Sequence, residues 1–144
     1  MIFSPIVLDT NALISGLLSK NGSPGQILNL LISSEKFRLV FDDNIWSEYE
    51  SVVHRSKFKF DPSEVSKILK ILEWKGVLIS TPPPWPHTVP DPDDEIFLSV
   101  ANKANISLIT GNISDYPLRA RNGVKILTPR EFMETLKTHP FLNE

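Results

Sequence analysis

Short apolar runs alternate with segments of helical spacing along the chain. The apolar runs lie at Ile6–Asp9, Arg38–Phe41, Val77–Ser80, Ile106–Thr110 and Val124–Leu127. Each run carries valine or isoleucine, which favour strands. Between the runs, apolar residues recur at i, i+3 and i+4, as in Val65, Ile68 and Leu69, a spacing typical of amphipathic helices. The alternation predicts an α/β fold with a mainly parallel sheet of about five strands.

Four helix starts share one sequence form, in which a capping residue is followed by proline. They are Ser23-Pro24, Asp61-Pro62, Asp91-Pro92 and Thr128-Pro129. Proline at the first helical position loses no needed N–H, so the form predicts four helix N-termini. The segment Thr81–Pro90 holds further prolines, and we expect an extended surface crossover there rather than a ligand for an SH3 domain.

Composition restricts the possible chemistry. A chain of 144 residues with 41% hydrophobic and 22% charged residues predicts one globular domain, 1–138, followed by a short tail, 139–144. Cysteine is absent and the three histidines are scattered, which excludes disulfides and a zinc pattern. No apolar run could span a bilayer, so we expect a cytoplasmic protein. The net charge of −2 means that any polyanion site must be local or metal-mediated.

Asp9 stands where the first predicted strand stops. The run Ile6 to Leu8 has no polar member, which suits a strand buried on both faces. In open parallel sheets, ligands bind beyond the carboxyl ends of the strands. Two interpretations stay open: Asp9 faces an active-site crevice, or it caps the next predicted helix, Asn11–Leu18.

Further acids occur at two predicted helices. Glu48 borders the apolar stripe of the helix Asn44–His54, where an acid is either a surface residue or a cation ligand. Asp91, Asp93 and Asp94 open a later helix. Asp91 is explained as a cap. The other two acids repel each other unless they bind a cation or point apart, and Asp94 could equally complement the helix dipole.

A small polar cluster follows the fourth predicted strand: Thr110, Gly111, Asn112, Ser114 and Asp115. A parallel sheet would place this cluster at the same edge as the first strand's acid. Clustered carboxylates without histidine or cysteine suit a hard cation, Mg²⁺ or Mn²⁺. Such an ion activates bound water and stabilises charge on phosphorus, so the pattern indicates phosphodiester hydrolysis.

A basic stretch after the third predicted helix interleaves cations and aromatic rings. Arg55, Lys57 and Lys59 alternate with Phe58 and Phe60. Such a stretch can bind single-stranded RNA, with phosphates on the cations and bases on the rings. The alternative is a solvated connection whose two phenylalanines pack inward.

Four segments, in this order and spacing, resemble the PIN-domain nuclease family. They are Leu8–Leu18, Ser47–Val53, Asp91–Asn112 and Val124–Met133, and together they extend over nearly the whole chain. The likeness is greatest to the toxins of type II toxin–antitoxin systems, the VapC-like ribonucleases. The resemblance implies a three-layer α/β/α domain, a small antitoxin protein as partner, and a homodimer.

The resemblance also implies roles for individual residues. Asp9, Glu48 and Asp94 match the catalytic acids that hold Mg²⁺ or Mn²⁺, and Asp93 is a less favoured substitute for the third acid. Thr10, Asn11 and Thr110 match polar positions that orient the acids or a metal-bound water.

Asn112 departs from the family pattern, which often has a fourth acid at this position. An amide is a poorer cation ligand than a carboxylate, so the departure favours a single tightly held ion. Asp115 could compensate through a bridging water.

The sequence leaves three alternative functions open. The leading one is a divalent-metal-dependent ribonuclease acting on single-stranded RNA. The second is a catalytically weakened PIN domain that binds RNA or a protein. The third, phosphoryl transfer with Asp9 as nucleophile, ranks low. A haloacid-dehalogenase-like enzyme needs an aspartate where Asn11 stands, and a receiver domain needs an acid at the end of Val77–Ser80.

Overall fold

Five parallel strands form the sheet in the part of the chain that the structure, a computed structural model, describes: residues 4–138. The strands are β1 (Ser4–Leu8), β2 (Phe37–Phe41), β3 (Val77–Leu78), β4 (Ser107–Ile109) and β5 (Ile126–Leu127). Their order is β3-β2-β1-β4-β5, with every neighbouring pair parallel. The predicted fold class and the predicted strands are confirmed. The predicted tail, 139–144, lies outside the described residues.

Three strands, β3, β4 and β5, are shorter than the apolar runs that predicted them, whereas β1 and β2 begin earlier than predicted. Only Leu108 and Ile109 of β4 pair with β5, opposite Ile126 and Leu127. The apolar pattern reports burial, whereas a strand also needs a backbone partner on the neighbouring chain segment. The sequence therefore located each strand but overestimated the length of β3, β4 and β5.

Helices flank the sheet on both faces. They are α1 (Thr10–Leu18), α2 (Ser23–Ser33), α3 (Asp43–Val53), α4 (Pro62–Lys75), α5 (Glu95–Ala104), α6 (Leu118–Arg121) and α7 (Pro129–Thr138). Successive residues of a strand point to opposite faces, and Ile6, Val7 and Leu8 are all buried, so both faces of β1 are covered. Across residues 4–138, no helix combines the length and apolarity needed to cross a membrane.

The predicted helix starts are mostly confirmed. Asp61 accepts a hydrogen bond from the Ser63 N–H (2.9 Å). Thr128 and Glu131 cap each other reciprocally, at 2.9 and 3.0 Å. The prediction that Ser23 caps a helix is wrong, because the N-cap is Gly22 and Ser23 is the first residue of α2.

The start at Asp91 differs in form. Asp91 accepts from the Asp93 N–H (3.0 Å), but a 3₁₀ turn, Pro92–Asp94, comes before α5 begins. Asp94 is therefore the residue that precedes the α-helix rather than part of its first turn.

The proline-rich segment crosses from β3 toward α5 along the surface. Trp85 is buried and donates its indole N–H to the Ala120 carbonyl (2.8 Å). Arg119 donates to the Thr88 carbonyl (2.8 Å). These bonds hold the crossover against α6, as the crossover interpretation requires, and they fix the segment that leads into the turn Pro92–Asp94.

Candidate active site

Asp9 is a helix cap and a buried acid at the carboxyl end of the central strand. Its side chain is 1% exposed. Oδ1 accepts from the Ala12 N–H (2.9 Å), which caps α1, and the Asp9 N–H donates to the Ile109 carbonyl of β4 (3.0 Å). The capping interpretation is confirmed, and the cap holds the carboxylate at the sheet edge, whereas the part of Asp9 in an active site stays a prediction.

The second carboxylate oxygen of Asp9 accepts from two buried hydroxyls. Thr110 donates through Oγ1 at 2.5 Å, and Tyr116 donates through its phenol at 3.3 Å. The Thr110 hydroxyl in turn accepts from the Asn112 N–H (3.1 Å). Sequence reasoning did not select Tyr116. A usable signal existed, since a buried tyrosine needs a partner for its hydroxyl and this one follows the strand-end polar cluster.

An open cleft of about 570 Å³ lies at this edge of the sheet. Most of the predicted site residues line it, but the buried pair Asp9 and Thr110 does not. The predicted residues that line it are Thr10, Asn11, Glu48, Arg55, Lys57, Asp93, Asp94, Asn112 and Asp115. Glu48 is partly buried on α3, as expected for an acid at the border of an apolar stripe. Asp91 also lines the cleft, although the sequence had explained it as a cap alone.

Buried Asp9 and the acids that line the cleft affect one another electrostatically. Burial raises the pKa of Asp9 to about 6, against the lowering effect of its hydrogen-bond donors. Burial is also the first cause that raises the pKa of Asp94 to about 7, followed by the charges of Asp115, Asp91, Asp9 and Asp93. Burial raises the pKa of Asp115 too, assisted by Asp91. Mutual repulsion was expected to raise a pKa here; the direction is confirmed, but burial contributes more.

The donor set fits a hard cation. The cleft offers carboxylate, amide and hydroxyl oxygens, which are the ligands that Mg²⁺ and Mn²⁺ prefer. Thr10 adds a buried hydroxyl that has no hydrogen-bond partner within residues 4–138. An unsatisfied buried hydroxyl is costly unless something else binds it.

The acids of residues 4–138 do not form a compact metal-binding cluster. Over the described residues, no three histidine, cysteine or acidic side chains stand in positions to hold one ion together. Direct coordination by Asp9, Glu48 and Asp94 together is therefore not formed, and their ligand role stays a prediction. Mg²⁺ usually keeps several waters, which can bridge wider gaps between acids.

The predicted RNA-binding stretch divides between the cleft and the surface. Arg55, Lys57 and Phe58 line the cleft, whereas Lys59 is not one of its lining residues. Lys57 Nζ lies 5.0 Å from the centre of the Phe58 ring, and Phe58 stacks on Phe60 with 5.7 Å between ring centres. Both rings are partly buried against the core, as the alternative interpretation expected, while the cations stay exposed.

Asn112 organises the neighbouring acid. Its Nδ2 donates to Asp115 Oδ1 (3.1 Å), and its Oδ1 accepts from the Ser114 hydroxyl (2.6 Å). The amide therefore does something that a carboxylate could not do, because only the amide can donate to Asp115.

The all-parallel sheet, with an acidic cleft at its carboxyl edge, makes this an α/β protein. In folds of this class, ligands bind beyond the carboxyl ends of the strands. Residues 5–114 match the family model of the PIN domain. The chain belongs to the PIN-domain family.

The chain is also similar to several known proteins. The uncharacterized protein MJ1680 of Methanocaldococcus jannaschii is 32% identical over 139 residues, which span 90% of this chain and 89% of that protein. VapBC2 from Rickettsia felis, solved bound to a promoter DNA fragment, matches with a TM-score of 0.61 at 18% identity, over 86% of this chain and 98% of that one.

Two further solved structures share the fold. FitAB bound to an IR36 DNA fragment has a TM-score of 0.58 at 16% identity, over 86% of this chain and 94% of that one. PAE2754 from Pyrobaculum aerophilum has a TM-score of 0.55 at 15% identity, over 94% and 90%.

Proposed function

We propose that this protein is a divalent-metal-dependent ribonuclease that cleaves single-stranded RNA and is the toxin of a toxin–antitoxin pair. The observation that carries the proposal is the composition of the cleft. Acids that include Glu48 and Asp94 share it with the cations Arg55 and Lys57. Carboxylates bind the metal and cations bind phosphates, so one cleft contains both halves of a phosphodiesterase site.

Each group has a distinct part in this mechanism. Asp9, Glu48 and Asp94 would hold Mg²⁺ or Mn²⁺, which when bound supplies an activated water and neutralises charge on the phosphate. Thr110 holds the Asp9 carboxylate in one orientation.

Other polar residues of the cleft would support the acids. Asn112 orients Asp115, which could reach the ion through water. Asp93 also lines the cleft and could replace Asp94 as the third acid. Thr10 and Asn11 would contact the ion's waters, and the unsatisfied hydroxyl of Thr10 gives the physical reason for its part.

An RNase assay with defined ions tests the proposal. We expect cleavage of single-stranded RNA with MgCl₂ or MnCl₂, none with EDTA, and weaker cleavage of duplex RNA, whose bases are stacked and paired. Cleavage that is unchanged by EDTA would contradict the metal dependence. Cleavage of DNA alone would contradict the assigned substrate.

The proposed partners are a small antitoxin protein and a second copy of the chain, in the cytoplasm. The fold likeness to VapBC2 and FitAB, both solved as DNA-bound complexes, supports an antitoxin partner. Co-purification of a small protein encoded beside this chain, with loss of RNase activity in the complex, would test this part separately.

A binding module without catalysis is the second candidate. Asn112 in place of the frequent fourth acid supports it, as does the lack of a closed three-acid cluster within residues 4–138. Tight RNA binding with no divalent-dependent cleavage would favour the module over the enzyme.

Neutralising the two cations of the cleft should weaken RNA binding. In the variant Arg55→Gln/Lys57→Gln, we expect lower affinity and a salt dependence flattened by about 0.7 in log–log slope for each lost phosphate contact. The control is Lys59→Gln, because Lys59 does not line the cleft. The measurement is RNA affinity at several salt concentrations. Equal slopes in the double variant and the parent would show that Arg55 and Lys57 make no phosphate contact.

Adding a carboxylate at position 112 should tighten metal binding. In Asn112→Asp, we expect stronger Mn²⁺ binding by calorimetric titration, because a charged oxygen joins the cleft. The metal-free protein should lose stability as the pH rises above about 4, since the new charge stands beside Asp115 and the Nδ2 donor is lost. Asn122→Asp, at the opposite end of β4, is the control for added charge. No gain in Mn²⁺ affinity would place residue 112 outside the metal shell.

A further inference from the structure

Tyr116 places a phenol beside the buried carboxylate of Asp9. The side chain of Tyr116 is fully buried, and its hydroxyl donates to Asp9 Oδ2 at 3.3 Å. Its backbone is held on both sides: the N–H donates to the Ile113 carbonyl (3.0 Å), and the carbonyl accepts from Arg121 Nε (2.6 Å). The backbone that carries the phenol is therefore held independently of Asp9.

The phenol is a permanent donor at this site. A neutral phenol can donate its proton to an ionised carboxylate at every pH at which the protein would be assayed.

The hydrogen bonds of Asp9 are unevenly divided between its two oxygens. An ionised carboxylate has roughly four acceptor positions, two on each oxygen. Thr110 and Tyr116 both donate to Oδ2, whereas the Ala12 N–H alone donates to Oδ1. Oδ2 is thus saturated, and Oδ1 keeps one acceptor position.

We infer that Tyr116 is a positioning residue of the metal site, whose hydroxyl acts with Thr110 to saturate Asp9 Oδ2 and leave Oδ1 to hold the divalent cation. The inference rests on the proposed function, since it assigns Asp9 as a ligand. Donors that orient a metal ligand typically affect metal affinity or activity by roughly 10- to 100-fold.

The chain offers a matched control for a purely structural tyrosine. Tyr49 is equally buried, and its hydroxyl donates to the Leu8 carbonyl, next to Asp9 in sequence. Removing the hydroxyl of Tyr49 deletes a buried hydrogen bond of the same strand end without touching the Asp9 carboxylate. Comparison of Tyr116→Phe with Tyr49→Phe therefore distinguishes an effect on the position of the Asp9 carboxylate from the general effect of losing a buried tyrosine hydroxyl.

The test measures Mn²⁺ affinity of the full chain by calorimetry. We expect Tyr116→Phe to weaken Mn²⁺ binding by about 10-fold or more, and Tyr49→Phe to remain close to the parent. In the RNase assay, the lost activity of Tyr116→Phe should return at high Mn²⁺, while KM for RNA stays unchanged. Thermal unfolding of both variants checks that each is folded.

A second measurement keeps the hydroxyl in place. The chain has two tyrosines, so 3-fluorotyrosine incorporated into Tyr49→Phe labels Tyr116 alone. Its ¹⁹F resonance should shift on titration with Mg²⁺ and saturate at the dissociation constant measured by calorimetry. This readout needs neither Tyr116→Phe nor catalysis.

The outcomes are distinct. Equal Mn²⁺ affinity in Tyr116→Phe and the parent, or an equal loss in both tyrosine variants, would overturn the inference and leave the proposed function standing. A ¹⁹F resonance that does not respond to saturating Mg²⁺ would also overturn it. A parent protein that binds no divalent ion would overturn the proposed function, and the inference with it.

Discussion

Asp9→Asn should abolish RNA hydrolysis, with kcat reduced by roughly 100-fold or more, because it removes a charged metal ligand rather than an outer partner of one. Asparagine keeps the size of the side chain and can still cap α1 through its carbonyl oxygen. The hydroxyls of Thr110 and Tyr116 can rotate to suit the amide. The fold should therefore remain intact while the site loses its metal.

The same substitution should not destabilise the metal-free protein above pH 7. The rise of the Asp9 pKa from 3.8 to about 6 corresponds to about 3 kcal/mol of stability that the native protein loses when this acid ionises. An uncharged asparagine avoids that loss. Lower activity accompanied by equal or higher stability would distinguish a functional acid from a structural one.

Asp42→Asn is the matched control. Asp42 is also 1% exposed, follows β2, and caps α3 by accepting from the Ile45 N–H at 2.8 Å. The charge of Asp9 raises the pKa of Asp94 in the cleft, whereas Asp42 lines a different pocket, beside the proline-rich crossover. We expect Asp42→Asn to keep parental RNase activity. Parental activity in a folded Asp9→Asn protein would eliminate Asp9 as a catalytic ligand.

The metal-free protein should lose stability as the pH rises from about 4 to about 7. The pKa values of Asp9 and Asp94 are raised from 3.8 to about 6 and about 7 in the folded state. The folded protein therefore binds more protons than the unfolded chain in this range, and its stability falls as those protons leave. The stability that protonation of Asp9 and Asp94 gives the folded protein is fully present below about pH 4 and lost above about pH 7.

A divalent ion should reverse this trend, because it binds the ionised acids and stabilises the folded state by mass action. We expect MnCl₂ to raise the melting temperature more at pH 8 than at pH 5. Calorimetric melting from pH 4 to pH 8, with EDTA or with MnCl₂, checks both statements. The double variant Asp9→Asn/Asp94→Asn should show a smaller fall with pH and a smaller response to Mn²⁺. A parent whose stability rises from pH 5 to pH 8 in EDTA would contradict the assignment of raised pKa values.

Much of the candidate site could be found from local patterns. The apolar run Ile6–Leu8 placed Asp9 at a strand end, and the stripe of α3 placed Glu48 at the border of a buried face. Both inferences depend on the pattern of apolar side chains along a short segment, which reports burial directly. The position of Asp94 followed from the capping form Asp91-Pro92, although the turn there is 3₁₀ rather than α.

Lys59 shows where local patterns were insufficient. It alternates with Arg55 and Lys57 in sequence, but it adopts a left-handed backbone conformation (φ 54°) after the turn Ser56–Phe58, and it does not line the cleft. A left-handed residue redirects the chain, so regular alternation ceases to report direction at that point.

The sequence by itself determined the alternation of strands and helices, the α/β class, the strand-end position of Asp9 and the oxygen-rich chemistry of its neighbours, because these depend on periodicity and residue type along short segments. Only the tertiary structure decided the strand order, the pairing of Tyr116 with Asp9, the shared cleft of acids and cations, and the pKa values that burial raises. Those features join residues separated by as many as 107 positions. Such contacts depend on how the whole chain packs, which no local pattern encodes.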